Sequence, residues 1–128
     1  MDSTLTLVLP DFKKALATLD EAVQADSNNT FVRDATIQRF EYSFELGWKT
    51  VKMYLADQYG ETALSPKESF RLLGKHGELT MEEVEEFLKM VDDRNKTTHT
   101  YDEQFIAALS QKIPFYAKLL NKVANVVV

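Results

Sequence analysis

Residues 94 to 101 read Arg-Asn-Lys-Thr-Thr-His-Thr-Tyr, and this octapeptide gathers side chains suited to handling phosphate. Arg94 is permanently cationic, His99 exchanges a proton near neutral pH, and Tyr101 offers a phenol. Asn95 lies four residues before His99, one helical turn away, so the two are candidates to cooperate. Upstream, Val84, Leu88 and Val91 mark the apolar stripe of a helix, and the same spacing continues onto Asn95 and Thr98. The pattern therefore predicts that polar groups take over the buried face. Taken singly, each residue has a plainer reading: His99 as a terminal partner for the helix dipole, Arg94 as a surface cation paired with Asp92, Asp93 or Glu86. Their concentration within one and a half turns is what favours a shared site.

The elements that must carry this segment are helical. Phe12, Ala15, Leu16, Leu19 and Val23 fall at helical spacing and predict a first helix beginning near Asp11, after Pro10, and ending in the turn-favouring run from Asp26 to Thr30. Ile37, Phe40, Phe44, Trp48, Val51 and Leu55 step by three and four along a second helix that Gly60 closes, with Glu45 and Lys49 as a flanking pair. Ser65, Pro66 and Glu68 supply the N-cap, first-turn proline and N3 acid of a short helix ending between Gly74 and Gly77. Thr80 and Glu83 form a second capping box, opening the long helix that runs into the octapeptide, with Glu85 and Lys89 paired on its flank. Thr100 and Glu103 are the expected cap of a last helix with the stripe Phe105, Ile106, Leu109, Ile113, Tyr116, Leu120 and Val123, kinked at Pro114. Period-two alternation is absent. The expected architecture is all-α: an up-and-down antiparallel four-helix bundle with one short additional helix, forming one domain over residues 1–128.

Composition narrows the functions available to such a bundle. With 128 residues, 45% hydrophobic and 11% aromatic, the chain has enough apolar material for one core. A net charge of -5 and a pI near 5.0 argue against a general nucleic-acid or anionic-membrane binder, so any RNA contact must be local. No run approaches the roughly 18 apolar residues of a membrane span, and the N-terminus lacks the basic segment of a signal peptide, which points to the cytoplasm. The sequence has two histidines and no cysteine. Neither histidine follows a glutamate by three residues, as a di-iron bundle requires, so no metal and no cofactor are expected. The acidic pairs Glu82-Glu83, Glu85-Glu86 and Asp92-Asp93 read as a solvated helix face. His76, in a helix-ending Gly-Lys-His-Gly turn, is given no role. On the second helix, Phe40, Phe44 and Trp48 read first as core. Glu41, Tyr42, Glu45 and Trp48 are the candidates to face a partner or a second subunit.

Three segments together carry a resemblance. Gln38 to Thr50 (Gln-Arg-Phe-Glu-Tyr-Ser-Phe-Glu-Leu-Gly-Trp-Lys-Thr), Ser65 to Glu68, and Asp93 to Glu103 resemble, in order, the nucleotidyltransferase substrate-binding protein family of the HEPN superfamily. The resemblance implies an antiparallel helical bundle that forms a homodimer and is encoded beside a minimal nucleotidyltransferase. It also implies that many relatives are metal-independent RNases acting as toxins. Carried onto this sequence, Arg94 would stabilise charge on phosphorus and His99 would move protons as a ribose 2′-hydroxyl attacks the adjacent phosphate, with Asn95 in support. In toxin members of the group the partner enzyme adenylylates the motif tyrosine, which corresponds to Tyr101; the added phosphates would repel RNA and occupy Arg94. The family name describes a second job, a non-catalytic substrate- or nucleotide-binding subunit of a two-component nucleotidyltransferase. The acidic neighbours Asp92, Asp93, Asp102 and Glu103 weigh toward it.

Overall fold

The computed structural model describes residues 3–25, 28–99 and 102–127, with side chains from residue 7 onward. Its helices are α1 (Ser3–Val23), α2 (Thr30–Tyr59), α3 (Pro66–Lys75), α4 (Met81–His99) and α5 (Glu103–Val126), and no strand occurs among the described residues. The four long helices make the up-and-down bundle. Helices α1, α2 and α5 pack against one another, α3 bridges α2 and α4, and α4 lies along α3 and α5.

Local chemistry explains where most helices start and stop. Asn29 caps α2, its side-chain oxygen accepting the Phe31 and Val32 amides at 2.8 and 3.3 Å. Gly60 ends the helix in the left-handed region at φ 65°, so its own amide and that of Glu61 turn back to the Ala56 and Leu55 carbonyls. Only glycine adopts that conformation without a Cβ penalty. The box at Thr80 closes, whereas at Ser65 the reciprocal bond shifts by one residue, to the Leu64 amide. Ser65 Oγ accepts the Glu68 amide at 3.2 Å while Glu68 accepts the Leu64 amide at 2.7 Å. Thr80 and Glu83 exchange side-chain-to-backbone bonds at 3.1 and 2.8 Å.

The apolar stripes meet in a shared core. Phe12, Leu16 and Leu19 of α1 pack with Phe40, Phe44, Val51 and Leu55 of α2 and with Leu109, Ile113, Tyr116, Leu120 and Val123 of α5. Phe70 stacks on Phe87 with centroids 4.3 Å apart, joining the short helix to α4. Trp48 sits at the margin of this core, partly buried. Val127 is 2% exposed, so the C-terminal valines begin by packing on the bundle they belong to.

Four local expectations, two helix ends and two side-chain pairs, are corrected. Helix α1 starts at Ser3 instead of near Asp11, and Pro10 lies inside it. Proline removes one amide from the ladder and crowds the preceding turn, yet the helix runs through it, with Leu9 packed against the core. The cap of α5 is Asp102, whose Oδ1 accepts the Gln104 and Phe105 amides at 2.9 and 3.4 Å; Thr100 lies outside the described residues. Glu103 instead reaches Arg33 of α2 at 2.5 Å. Lys89 pairs with Glu86 at 3.2 Å, not with Glu85, and Glu45 turns away from Lys49 toward Trp48 and Arg94. Helix α5 runs through Pro114 to Val126 as one element.

Candidate functional site

The octapeptide begins on the last two turns of α4. Val84, Phe87, Met90 and Val91 are buried, whereas Leu88 is only partly so. The buried face therefore advances through Phe87 and Met90, and steps of four and then three residues carry it onto Arg94 and Thr97. This overturns the expectation for Asn95 and Thr98, both of which are exposed. That expectation took Leu88 as the centre of the stripe, an error of one helical position, or about 100° of rotation.

Arg94 turns toward α2. Its side chain is 19% exposed, with Nη1 3.5 Å from Glu41 Oε2 and Nη2 3.8 Å from Glu45 Oε1. Nη1 also donates to Thr98 Oγ1 at 2.8 Å, and Nε is buried without a hydrogen-bond partner. Thr97 Oγ1 lies 2.8 Å from the same Glu41 oxygen and 2.6 Å from the Arg94 carbonyl. Trp48 Nε1 donates to Glu45 at 3.2 Å, so Glu41, Glu45 and Trp48, spaced by four and three, line the face of α2 opposite the motif.

The acids expected to pair with Arg94 are engaged elsewhere. Asp92 holds Lys67 of α3 at 2.8 Å, and Glu86 holds Lys89 on its own helix. Asp93 accepts the Tyr116 hydroxyl at 2.6 Å and lies 3.5 Å from Lys112, fastening α4 to α5 immediately before the motif. Burial, followed by the hydrogen bond to Asp93, pushes the Tyr116 phenol above its ordinary pKa. The acidic run on α4 is thus a set of inter-helix ties as well as a solvated face.

His99 is the last residue of α4 and is exposed, as is Asn95. Five residues apart, Arg94 and His99 leave the helix about 140° around its axis from each other. No hydrogen bond joins Asn95 to His99 among the described residues. Lys96 Nζ stands 4.6 Å from the Phe105 ring centroid, a cation–π contact that ties α4 to the start of α5. Tyr101 lies outside the described residues. No cluster of three or more metal-ligating side chains occurs among the described residues.

The α2 residues named as interface candidates fall on different sides. Glu41 faces the motif, while Tyr42 is 41% exposed and its hydroxyl sits 3.0 Å from Thr18 Oγ1 of α1. Glu45 was read as a partner of Lys49 and not of Arg94, and Thr97 went unassigned in the sequence. Glu45 carried a signal, its place in the Glu41-Glu45-Trp48 face; Thr97 carried none, because its use depends on the register between α2 and α4.

His76 has a structural place at the far end of α2. It stacks on Tyr59 with centroids 3.8 Å apart and rings 10° from parallel, and its Nε2 is 2.9 Å from Glu61. Hydrogen bonds from His76 and then Lys75 hold the Glu61 carboxyl below its ordinary pKa.

The sequence profile of the family described as nucleotidyltransferase substrate binding protein like matches residues 7–127. No functionally curated protein matches the chain. Among solved structures, a protein from Thermus thermophilus is 42% identical over 91% of this chain and 98% of its own, with a TM-score of 0.86. A tri-AMPylated Shewanella oneidensis HEPN toxin in complex with MNT antitoxin shares the fold at 17% identity, over 99% of this chain and 98% of that one, with a TM-score of 0.79. A toxin-antitoxin structure with AMP-PNP does so at 16% identity over the whole of both chains, with a TM-score of 0.77. No helix among the described residues is long and apolar enough to cross a membrane. With the profile spanning nearly the entire chain, the protein belongs to the nucleotidyltransferase substrate-binding protein family.

Proposed function

We propose that the protein is a metal-independent RNase toxin that works as a homodimer and is neutralised by a minimal nucleotidyltransferase. The observation that carries this reading is the placement of Arg94 and His99 at the free end of α4: a held guanidinium and an accessible imidazole on one short segment. The 140° between them favours a composite site, in which Arg94 and His99 of two α4 ends converge across a two-fold axis. In that cleft the imidazole of His99 accepts the proton of a ribose 2′-hydroxyl, whose oxygen attacks the adjacent phosphorus. The 5′-oxygen of the next nucleotide leaves and takes up a proton, giving a 2′,3′-cyclic phosphate and a 5′-hydroxyl. Arg94 stabilises the added negative charge on phosphorus. Asn95 supports the arrangement from the exposed side of the same turn.

The control point in this reading is Tyr101, two residues beyond His99. Transfer of adenylyl groups to its phenol by the partner would add anionic phosphate to the motif and exclude RNA by charge and bulk. The tri-AMPylated HEPN toxin of the same fold supports assigning that chemistry to the family's partner enzyme. Expressed without a nucleotidyltransferase, the wild-type chain should arrest growth and His99→Ala should not; co-expression of the partner should restore growth only while Tyr101 is present. Equal growth of wild type and His99→Ala, both folded and expressed, refutes the reading.

A second reading is favoured by the two carboxylates around Arg94. They lower its capacity to capture an anion, as suits a non-catalytic subunit that presents substrate to the nucleotidyltransferase. It predicts that the two proteins copurify and that His99→Ala leaves transferase output unchanged.

A further inference from the structure

Beyond Val91, α4 carries no buried apolar side chain, so its last two turns are held to the bundle by polar contacts. On the α2 side these contacts converge on one oxygen. Glu41 Oε2 lies 2.8 Å from Thr97 Oγ1 and 3.5 Å from Arg94 Nη1. We propose that Glu41 is a positioning residue for Arg94, aiming the guanidinium while restraining its attraction for phosphate. The proposal rests on the RNase reading above and extends it to a residue that does not itself touch RNA.

Two features argue for aiming over simple packing. The gaps from Arg94 to Glu41 and Glu45, 3.5 and 3.8 Å, exceed the roughly 2.7–2.9 Å of a closed arginine–carboxylate fork. The guanidinium is therefore steered by charge but keeps donors uncommitted, and its Nε–H is buried and unpaired. An incoming phosphate oxygen can take up the remaining Nη donors without first breaking a bidentate pair, while the buried Nε–H stays out of its reach. Meanwhile the two tasks of Glu41 are chemically separable: Thr97 needs an acceptor, Arg94 needs a negative charge.

Glu41→Gln keeps the acceptor and removes the charge, whereas Glu41→Ala removes both. On a short single-stranded RNA, Glu41→Gln should lower KM severalfold, because Arg94 no longer has that competing anion, and lower kcat because the guanidinium is less well aimed. Glu41→Ala should lower kcat further, by about 10- to 100-fold, since a misplacement of about 1 Å costs this much. Amide hydrogen exchange across residues 94–99 should accelerate in Glu41→Ala and stay close to wild type in Glu41→Gln. Exchange unchanged in Glu41→Ala overturns the proposal. So does kcat within twofold of wild type in Glu41→Ala, or a KM that fails to fall in Glu41→Gln. If the wild-type protein cuts no RNA, the RNase reading fails on its own, and the exchange data alone decide whether Glu41 holds the segment.

Discussion

Replacing Tyr116 with phenylalanine isolates the tie that fastens the motif helix to α5. The ring stays: it is buried, stacked on Phe40 at 5.7 Å, and loses no apolar contact in phenylalanine. What goes is one hydroxyl donating to Asp93 Oδ2 at 2.6 Å. A hydrogen bond to a charged acceptor contributes about 1.5–3 kcal/mol. Asp93 is 17% exposed and keeps Lys112 at 3.5 Å, so water and the lysine replace part of the loss, and the lower end, about 1.5 kcal/mol, is expected. At about 2.1 cal/mol/K per residue, 128 residues have an unfolding entropy of about 0.27 kcal/mol/K, and the melting temperature should fall by about 6 °C. Urea unfolding followed by circular dichroism, in a double-mutant cycle with Asp93→Asn, measures the coupling directly. The raised Tyr116 pKa adds a pH signature. Above about pH 10 the unfolded phenol ionises while the folded one stays protonated, so stability falls as pH rises. That alkaline decline should be shallower in Tyr116→Phe. A coupling energy within about 0.3 kcal/mol of zero, with an unchanged alkaline limb, would refute the idea that this bond fastens α4 to α5.

Other predictions follow from single contacts. A Cβ on Gly74 would lie 2.5 Å from Val84 Cγ2, so Gly74→Ala should cost about 1–3 kcal/mol by overpacking the α3–α4 seam; Val84→Ala, costly alone, should cost less in the Gly74→Ala background, as denaturant titration will show. Hydrogen bonds from Lys122 and then Thr80 hold the Glu83 carboxyl below its ordinary pKa. Its stabilising effect is present above the unfolded carboxylate pKa and is lost as pH falls through the folded value, so Glu83→Gln should flatten the acid limb of a stability–pH curve below about pH 4.5. Asp102→Ala, which strips the α5 N-cap, should cost about 1 kcal/mol and raise amide exchange at Gln104 and Phe105.

The fold was legible because its signals are local. The α2 stripe from Ile37 to Leu55, the N-caps at Ser65 and Thr80, and the Gly60 stop each depend on residues within a turn or two, and each is in place. The start of α1 was missed because Pro10 resembles a first-turn proline, and only packing of Leu9 shows that the helix already exists there. At the site, the residue types were readable while their orientation was not. A stripe of alternating threes and fours leaves about one position of rotational ambiguity. Here that ambiguity exchanged Asn95 and Thr98 for Arg94 and Thr97 on the inward face. Arg94's partners were equally hidden: Asp92 and Asp93 are neighbours in sequence, but a helix points them toward α3 and α5, and Glu41 and Glu45 come within reach only through the register of α2 against α4.

The most direct test is cleavage of a single-stranded RNA by the purified protein in the presence of EDTA, comparing wild type with Arg94→Ala and His99→Ala. Wild type should yield fragments ending in 2′,3′-cyclic phosphate, and each variant, equally folded by circular dichroism, should be slower by at least about 100-fold. RNA left intact by the folded wild-type protein, or cut equally by all three proteins, would contradict the assignment of Arg94 and His99 as an RNase site.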